Sequence, residues 1–503
     1  MPAVIAALAR HAAVQPARCA IADGRQSLDY GSVHAMVSAA AARLRRTVRG
    51  TVALALENSP AWVLGDLAVL ASDLPCVPLP PFFTPAQQAH ALRNAGAGWL
   101  LTDRPDFYDR LLRQQSIPAV HVDDIELGGR TIAQFSLATP PVLLPQGTAK
   151  VTYTSGTTGS PKGACVSAAA MDNVAYALAN ATQMTAADRH VCLLPLATLL
   201  ENIGGIYAPL LSGACVVPAA GREDTDASTI AGNYGEALAG MLEAARASTA
   251  IIIPQMLQAL VAAVEAGTPR PAALRFAAVG GARVPGSLLR RAASAGLPVF
   301  EGYGLSECAS VVTLNTPGAN RPGSAGRPLP HVGIAIAEDG EILVRGATFL
   351  GYAGDAATTG EPWHTGDLGH LDAEGFLHLT GRKKDLFITT FGRNVSPDWI
   401  ESELALQPAI TRAWVHGEAR PWNTAVVVAR PGATAQDVST AITAANRNLP
   451  GYAQVRHWLP ADEPFSLDNG ELTANGRLRR SVIAARYTPR IDQIYLEHAC
   501  ELS

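Results

Sequence analysis

Lysine is nearly missing from this chain of 503 residues. Only Lys150, Lys162, Lys383 and Lys384 occur, so arginine supplies almost all of the positive charge and each lysine calls for a specific reason. Charged residues of both signs reach only 16%, against 48% hydrophobic residues. A chain so apolar can bury a sizeable core and is not a disordered polypeptide. A formal net charge of −4 gives no footprint for nucleic acid, and none is expected as a partner. The cysteines (Cys19, Cys76, Cys165, Cys192, Cys215, Cys308 and Cys500) stand singly, in odd number and without a CxxC pair. That pattern speaks against a disulfide framework or a zinc site and for thiols of a reducing, cytoplasmic compartment. Long apolar runs are absent as well: Glu57, Asp66 and Asp73 interrupt the best window, so no transmembrane segment is expected. The apolar start, Met1 to Arg10, is too short and lacks the basic flank of a secretory signal.

Short apolar runs alternate with amphipathic stretches, the sign of βαβ units around a largely parallel sheet. One unit reads residue by residue. Thr84 can cap a helix, Pro85 suits its first position and Gln87 completes a capping box; the helix closes near Gly96 and Gly98, before a strand at Trp99-Leu100-Leu101. Further on, Ala250 to Ile253 predicts a strand, Gln255 to Ala266 a helix, Arg275 to Val279 a strand, and Pro285 to Ala295 a helix before Val299-Phe300. Ligands of open α/β sheets bind beyond the carboxyl ends of strands, which singles out the loops Gly280-Gly281-Ala282 and Gly302-Tyr303-Gly304. From about Ala325 to Leu379, short strands with Gly turns read as a β-rich subdomain. The last 120 residues or so carry their own helices (Pro397 to Leu406, Ala435 to Asn446) and strands (Ala413-Trp414-Val415, Ala425 to Ala429). The expected fold is α/β: a large domain of stacked αβ subdomains with the β-rich subdomain over residues 1–382, and a small, mobile α+β domain over 383–503.

The strongest local signal is Thr152-Tyr153-Thr154-Ser155-Gly156-Thr157-Thr158-Gly159-Ser160-Pro161-Lys162-Gly163. Small residues leave backbone N–H groups free to face an anion, hydroxyls add donors, and one of the scarce lysines adds a full charge. A Gly-Lys-Ser/Thr ending is absent, so this is not a Walker loop. By composition alone a mobile surface hairpin is the lesser alternative; the hydroxyl density together with Lys162 argues against it and for phosphate.

The whole string resembles the phosphate loop of the adenylate-forming (AMP-binding) superfamily, which includes acyl-CoA synthetases, and the resemblance continues in order over nearly the whole chain. Leu194-Pro195-Leu196 with Glu201-Asn202 is similar to the segment that lines the acyl pocket, and Gly280-Gly281-Ala282 to the loop beside adenine. Glu301-Gly302-Tyr303-Gly304-Leu305-Ser306-Glu307 resembles a signature whose tyrosine stacks on adenine and whose glutamate helps hold Mg²⁺. Alone, Tyr303 reads as a core tyrosine and Glu307 as a helix-start carboxylate; the ordered set separates them from that reading. Trp363 to Gly369 is similar to the ribose-binding element, with Asp367 accepting from the ribose hydroxyls, and Gly381 to Asp385 resembles the interdomain hinge, with Arg382 on ribose or phosphate and Lys384 at the pivot. Gly392 falls where the family passes the thiol arm. Long-chain fatty acyl-CoA synthetases are the branch these spacings resemble.

The resemblance implies a catalytic set of Lys162, Thr154, Glu307, Arg477 and Lys384, with ATP, Mg²⁺ at Glu307 and coenzyme A as cofactors. Nucleotide contacts would come from Thr154, Ser155, Gly156, Thr157, Thr158, Gly159, Lys162, Gly280, Gly281, Ala282, Tyr303, Gly304, Ser306, Asp367 and Arg382. A carboxylate would attack the α-phosphorus, Mg-pyrophosphate would leave, and the small domain would then rotate about Lys384 to admit a thiol.

Two positions depart from the pattern. The loop Asn469 to Arg480 resembles the one that delivers the family's catalytic lysine, yet the matching residue is Arg477 and no lysine follows Lys384. Arginine keeps the charge but presents a bulkier planar fork. Thr198 stands where relatives carry a histidine or aromatic. Three readings follow: an acyl-CoA ligase, an adenylating enzyme that hands the acyl group to a carrier-protein phosphopantetheine or an internal hydroxyl as in β-lactone formation, and a nucleotide- or acyl-binding protein without catalysis.

Overall fold

The computed structural model describes residues 1–154, 161–219, 234–355, 362–473 and 476–498. Ser155, Gly156, Thr157, Thr158 and Gly159 therefore lie outside the described residues.

Two large sheets, not one, organise the N-terminal part. The eight-stranded sheet runs Gly351–Tyr352, Lys162–Ser167, Thr148–Thr154, Cys76–Pro78, Thr51–Ala55, Ala97–Thr102, Arg130–Leu137, Ala119–Leu127. The nine-stranded sheet runs Arg327–Pro328, Ser310–Leu314, Val299–Leu305, Phe276–Val279, Thr249–Ile252, Arg189–Cys192, Cys215–Pro218, Cys19–Ala22, Ser27–Asp29. In both, the central strands are parallel and the outer ones antiparallel. Four antiparallel strands (Val332–Ile336, Glu341–Gly346, Trp363–Leu371, Leu377–Arg382) make the expected β-rich subdomain. The small C-terminal domain is a three-stranded sheet (Ile410–His416, Asn423–Ala429, Val455–Pro460) with helices Pro397–Ala405, Ala435–Asn446 and Arg480–Glu497. No helix among the described residues is long and apolar enough to cross a membrane.

Local chemistry sets the elements as expected. Thr84 caps the helix Pro85–Asn94 with the full capping box to Gln87, and Ala97–Thr102 follows as a strand. The expected strand at Ala250 is Thr249–Ile252, and its helix is Pro254–Glu265. One expectation is revised: Gly302-Tyr303-Gly304 is not a loop. The strand Val299–Leu305 runs through it, exchanging parallel pairing with Phe276–Val279 for antiparallel pairing with Ser310–Leu314. A Cβ on Gly304 would lie 1.7 Å from the Ser310 carbonyl oxygen, so only glycine lets the two strands close this far.

Between the sheets lies the helix Pro60–Ala71, started by Ser59, whose hydroxyl accepts from the Trp62 N–H at 3.3 Å. The helix is buried on nearly every side, and so is its one charge, Asp66. Burial of a lone carboxylate is costly. Lys150 supplies the counter-charge: its Nζ lies 2.6 Å from Asp66 Oδ1. The ammonium also donates to Asn202 Oδ1 and to Tyr207 Oη, and the tyrosine hydroxyl donates to Asp66 Oδ2 at 2.7 Å while Asn202 Nδ2 reaches the same oxygen at 3.0 Å. Asn202 and Tyr207 sit on a π-helical stretch, Asn202–Tyr207, that packs against the nine-stranded sheet. Lys150 lies on Thr148–Thr154 of the other sheet, so the cluster ties the two sheets together.

Removing one partner of a buried pair leaves the other charge stranded, at a cost of about 3–5 kcal/mol. Lys150→Met and Asp66→Asn are each expected to lose stability of that order in denaturant titration, whereas Asp66→Leu combined with Lys150→Met recovers most of it. Single variants as stable as the parent would contradict the pairing.

Candidate active site

Strand Thr148–Thr154 runs from the buried Lys150 to Thr154, where the hairpin turns; Thr154 pairs with Lys162 on the returning strand. The hairpin base is held from several sides. His90 Nε2 lies 2.9 Å from the Pro161 carbonyl oxygen, and the Tyr153 hydroxyl donates to Asn94 Oδ1 at 2.9 Å, both from the helix that Thr84 caps. A Cβ on Gly163 would approach Tyr153 Cζ to 2.9 Å, which fixes a glycine after Lys162.

On its other edge the returning strand pairs with Gly351–Tyr352, with Tyr352 opposite Ala164. The Lys162 ammonium lies 5.1 Å from the centre of the Tyr352 ring, a cation–π contact. The Tyr352 hydroxyl donates to Glu307 Oε1 at 2.8 Å, and Phe349 N–H donates to the Glu307 carbonyl at 2.8 Å. One tyrosine thus bridges the lysine of the hairpin and the carboxylate expected to hold Mg²⁺. Glu307 stands on a single 3₁₀ turn, Ser306–Cys308, followed by Ala309 (φ 53°) and Ser310 (φ 103°). Two successive non-glycine residues at positive φ store strain where the carboxylate is presented.

The ribose element meets the same place. Asp367 is paired in register with Arg382 across adjacent strands, and its Oδ1 lies 2.7 Å from Arg382 Nε. Its Oδ2 accepts from the Tyr303 hydroxyl at 2.7 Å. Burial raises the Asp367 carboxyl above its ordinary value, opposed by Arg382, Tyr303 and Arg477. Tyr303 and Asp367 are therefore fixed to each other, an aromatic face beside a carboxylate. Gly280, Gly281 and Ala282 follow the strand Phe276–Val279 as expected, with Gly281 at φ 83°. Gly302 lies near them, its carbonyl oxygen 3.1 Å from where a Cβ of Gly280 would stand.

Arg477 arrives from the small domain. Thr473 closes its loop, accepting from the Arg477 N–H on Oγ1 at 3.0 Å, and Arg412 Nη1 donates to the Gly476 carbonyl at 2.6 Å. Behind the loop, Arg480 grips Asp398 (2.6 Å) and Glu401 (2.6 and 2.9 Å). Arg477 is exposed as a residue, with its guanidinium standing among protein charges. Desolvation and Arg382 lower its affinity for the proton, while Asp367, Asp398 and Glu307 support the charge. Arg477 thus shares one electrostatic neighbourhood with Glu307 and Asp367. Lys384 is exposed, and desolvation, with Arg382 and Arg477 nearby, lowers its ammonium below the ordinary value despite Asp385. Gly392 is exposed at φ 69° between the short strands Phe387–Ile388 and Asn394–Val395. Gly304 is exposed and Ser306 half-buried beside Glu307.

The pair Glu201-Asn202 faces inward. Asn202 belongs to the Lys150 cluster, and Glu201 is fully buried with His190 Nε2 at 3.3 Å and the Leu194 N–H at 3.4 Å. Thr198 folds its hydroxyl onto the Pro195 carbonyl at 2.7 Å, closing the turn before them.

Sequence reasoning passed over Tyr352 and His90, which no motif surrounds, and gave no role to Arg480 at the end of the loop Asn469 to Arg480; each acts through another residue. Nor did it give a role to Glu301, the residue that opens the motif Glu301 to Glu307. Burial pushes its carboxyl up to about 7, opposed by the Gly323 N–H at 2.6 Å and by Arg283.

The described residues fit a nucleotide: a tyrosine ring anchored beside a carboxylate for a diol, a carboxylate beside the hairpin for a cation, and Lys162, Arg382 and Arg477 for phosphate oxygens. Two family models match the chain, the AMP-binding enzyme over residues 8–353 and the AMP-binding enzyme C-terminal domain over residues 384–499. Among curated relatives, the long-chain-fatty-acid–CoA ligase FadD15 of Mycobacterium bovis is 35% identical over 253 residues, covering 44% of this chain and only 42% of that protein. The indoleacetate–CoA ligase of Aromatoleum aromaticum is 28% identical over 94% of this chain and 95% of its own. Among solved structures, O-succinylbenzoate coenzyme A synthetase of Bacillus subtilis, in complex with AMP, superposes with a TM-score of 0.72 at 25% identity, over 96% of this chain and 98% of that one.

A carboxyl raised from 4.5 to about 7 favours the folded state below pH 4.5, and that advantage is lost as pH rises towards 7. Between those values the stability of the parent, taken relative to Glu301→Gln, is expected to fall by at most about 1.4 kcal/mol per pH unit. A difference that stays flat over that range in denaturant titrations would show Glu301 to be ordinary.

Proposed function

The chain belongs to the AMP-binding enzyme family, and from that premise we propose that it uses ATP to activate a carboxylic acid as its acyl adenylate and transfers the acyl group to coenzyme A. The observation that carries this reading is the convergence of Tyr303, Asp367 and Arg382 with Glu307, Tyr352 and Lys162, and with Arg477 from the small domain.

In this reading Asp367 accepts from the ribose hydroxyls, and Tyr303, held by Asp367, lays its ring against adenine. Gly280, Gly281 and Ala282 border the base, with Gly304 and Ser306 beside it. Thr154 and Lys162 would stand at the β- and γ-phosphates, the expected contacts from residues 155–159 lying outside the described residues. Mg²⁺, held at Glu307, would neutralise charge on the departing pyrophosphate. Arg477 bridges the incoming carboxylate and the α-phosphate, where its fork suits two oxygens. Catalysis is then positioning and charge neutralisation, which phosphoryl-type transfers chiefly need. For the second step the small domain turns about Lys384, from a boundary placed at residues 382 and 383, and Gly392 leaves room for the pantetheine thiol.

The acid we favour has an apolar tail of fatty type, in keeping with Leu194-Pro195-Leu196 and with the named specificity of FadD15. The indoleacetate ligase keeps aryl acids in view. A reducing, cytoplasmic setting suits free thiols at Cys76, Cys165, Cys192 and Cys308. One observation favours a second reading, a nucleotide- or acyl-binding protein without adenylation: arginine stands in the place of the lysine.

The test is acid-dependent AMP release from ATP over a panel of fatty and aryl acids, with and without coenzyme A. Acyl-CoA with AMP is the expected result. ATP binding without AMP from any acid would favour the second reading, and AMP with a non-thioester product would point to a carrier protein or an internal hydroxyl as acceptor. Lys162→Ala is expected to raise the KM for ATP about 10- to 100-fold, the worth of a charge-assisted contact. Arg477→Lys should keep or raise the adenylation rate, and Arg477→Ala should lose on the order of 10²–10³-fold. An Arg477→Ala enzyme of full activity would remove that residue from the mechanism.

A further inference from the structure

Apart from the nucleotide cleft, two thiols face each other across the nine-stranded sheet. Cys19 opens the strand Cys19–Ala22 and Cys215 opens its parallel neighbour Cys215–Pro218, with Ile21 opposite Val216. Their sulfurs are 3.1 Å apart, about 1 Å beyond the ~2.05 Å of a disulfide bond. The sequence separates them by nearly two hundred positions, so no spacing rule could have paired them.

The surroundings divide the labour between the two sulfurs. Cys19 is half-buried and open to small solutes, whereas Cys215 is buried. The Ser27 hydroxyl donates to Cys19 Sγ at 3.2 Å. Arg189, fixed by its Nε on the Ala245 carbonyl at 2.8 Å, places Nη1 3.5 Å from Cys215 Sγ. The hydrogen bond from Cys215, then Ser27 and Arg189, pull the Cys19 thiol down to about 6 against the cost of its burial. Cys215 shifts upward, chiefly because it donates to Cys19 and is buried. Of the two sulfurs, Cys19 is thus the more readily ionised. Cys76, Cys165, Cys192 and Cys308 are all buried, and burial pushes each above the ordinary thiol range. Cys500 lies outside the described residues.

We propose that Cys19 and Cys215 are a redox modification site, a dithiol that a hydroperoxide converts reversibly to a disulfide. The Cys19 thiolate attacks the peroxide; the S–O bond forms, the O–O bond breaks, and the departing oxygen takes up a proton as alcohol or water. Cys19, oxidised by two electrons to the sulfenic acid, is then attacked by the Cys215 sulfur. The S–S bond forms, the S–O bond breaks, and hydroxide leaves with the Cys215 proton as water. A dithiol reductant returns both electrons and restores the thiols. The product would covalently join the N-terminal strand to the strand that leads from Cys215 towards the cleft.

The experiment exposes the purified full chain to stoichiometric hydrogen peroxide, blocks free thiols with N-ethylmaleimide and maps peptides without reduction. The expected result is a Cys19–Cys215 linked peptide, the loss of two of the seven thiols and their recovery with dithiothreitol. In Cys215→Ser the oxidation should stop at a Cys19 sulfenic acid that dimedone traps, and in Cys19→Ser neither product should form. Cys19 left reduced, or carried to sulfinic acid with no linked peptide in the parent chain, would overturn the proposal. So would linkage through any other pair of cysteines.

Discussion

One enclosed ion pair ties the two large sheets to each other. Lys150 and Asp66 are both shut off from water, so their attraction offsets desolvation only because Asn202 and Tyr207 complete the set of hydrogen bonds. Apolar residues of similar volume could fill the same space at no loss of stability. What they could not supply is direction. The cluster requires one helix and one strand of the first layer to meet one turn of the second at a fixed position. That strand, four residues later, reaches Thr154, which pairs with Lys162 on the returning strand.

The cleft inherits this order through short connections. The hairpin leans on a capped helix through His90 and Tyr153 on one side and adds Gly351–Tyr352 on the other. Tyr352 then passes the position of Lys162 to Glu307. Tyr303, Asp367 and Arg382 form a second rigid group, built from two sheets whose strands meet there. Lys162 and Glu307 are thus held by Tyr352, and Asp367 holds both Tyr303 and Arg382. Preorganisation of this kind lowers the cost of ordering a triphosphate.

Much of this was legible in the residues themselves. Capping boxes, alternating apolar runs and glycine turns set the helices and the β-rich subdomain, and helix Ala435–Asn446 falls where its pattern put it. The motifs singled out Glu307, Asp367 and Arg382, and the structure pairs Asp367 with Arg382 and Glu307 with Tyr352. Interactions between distant segments were not legible. Asp66 read as an interruption of an apolar run, although it is the residue that the run is folded around. Lys150 was conspicuous only through the rarity of lysine. Gly302-Tyr303-Gly304 read as a loop because two glycines usually mark one, whereas here they let two strands approach. Cys19 and Cys215 looked solitary for the same reason: chain separation hides what a sheet brings side by side.

Arg477 belongs to one folding unit and two of its electrostatic partners, Asp367 and Glu307, to another, and Lys383 joins the units at their junction through Asp339 (2.6 Å) and Glu341 (3.0 Å). Gln258 Nε2 reaches the Ala405 and Leu406 carbonyls at 3.3 and 3.4 Å, Ser287 reaches Glu403 at 3.5 Å, and Arg283 covers the Trp399 ring at 5.5 Å. Long polar contacts of this sort are individually weak, whereas each unit has its own apolar core. A seam built of such contacts costs less to open than either core, so warming is expected to part the two units while each keeps its secondary structure.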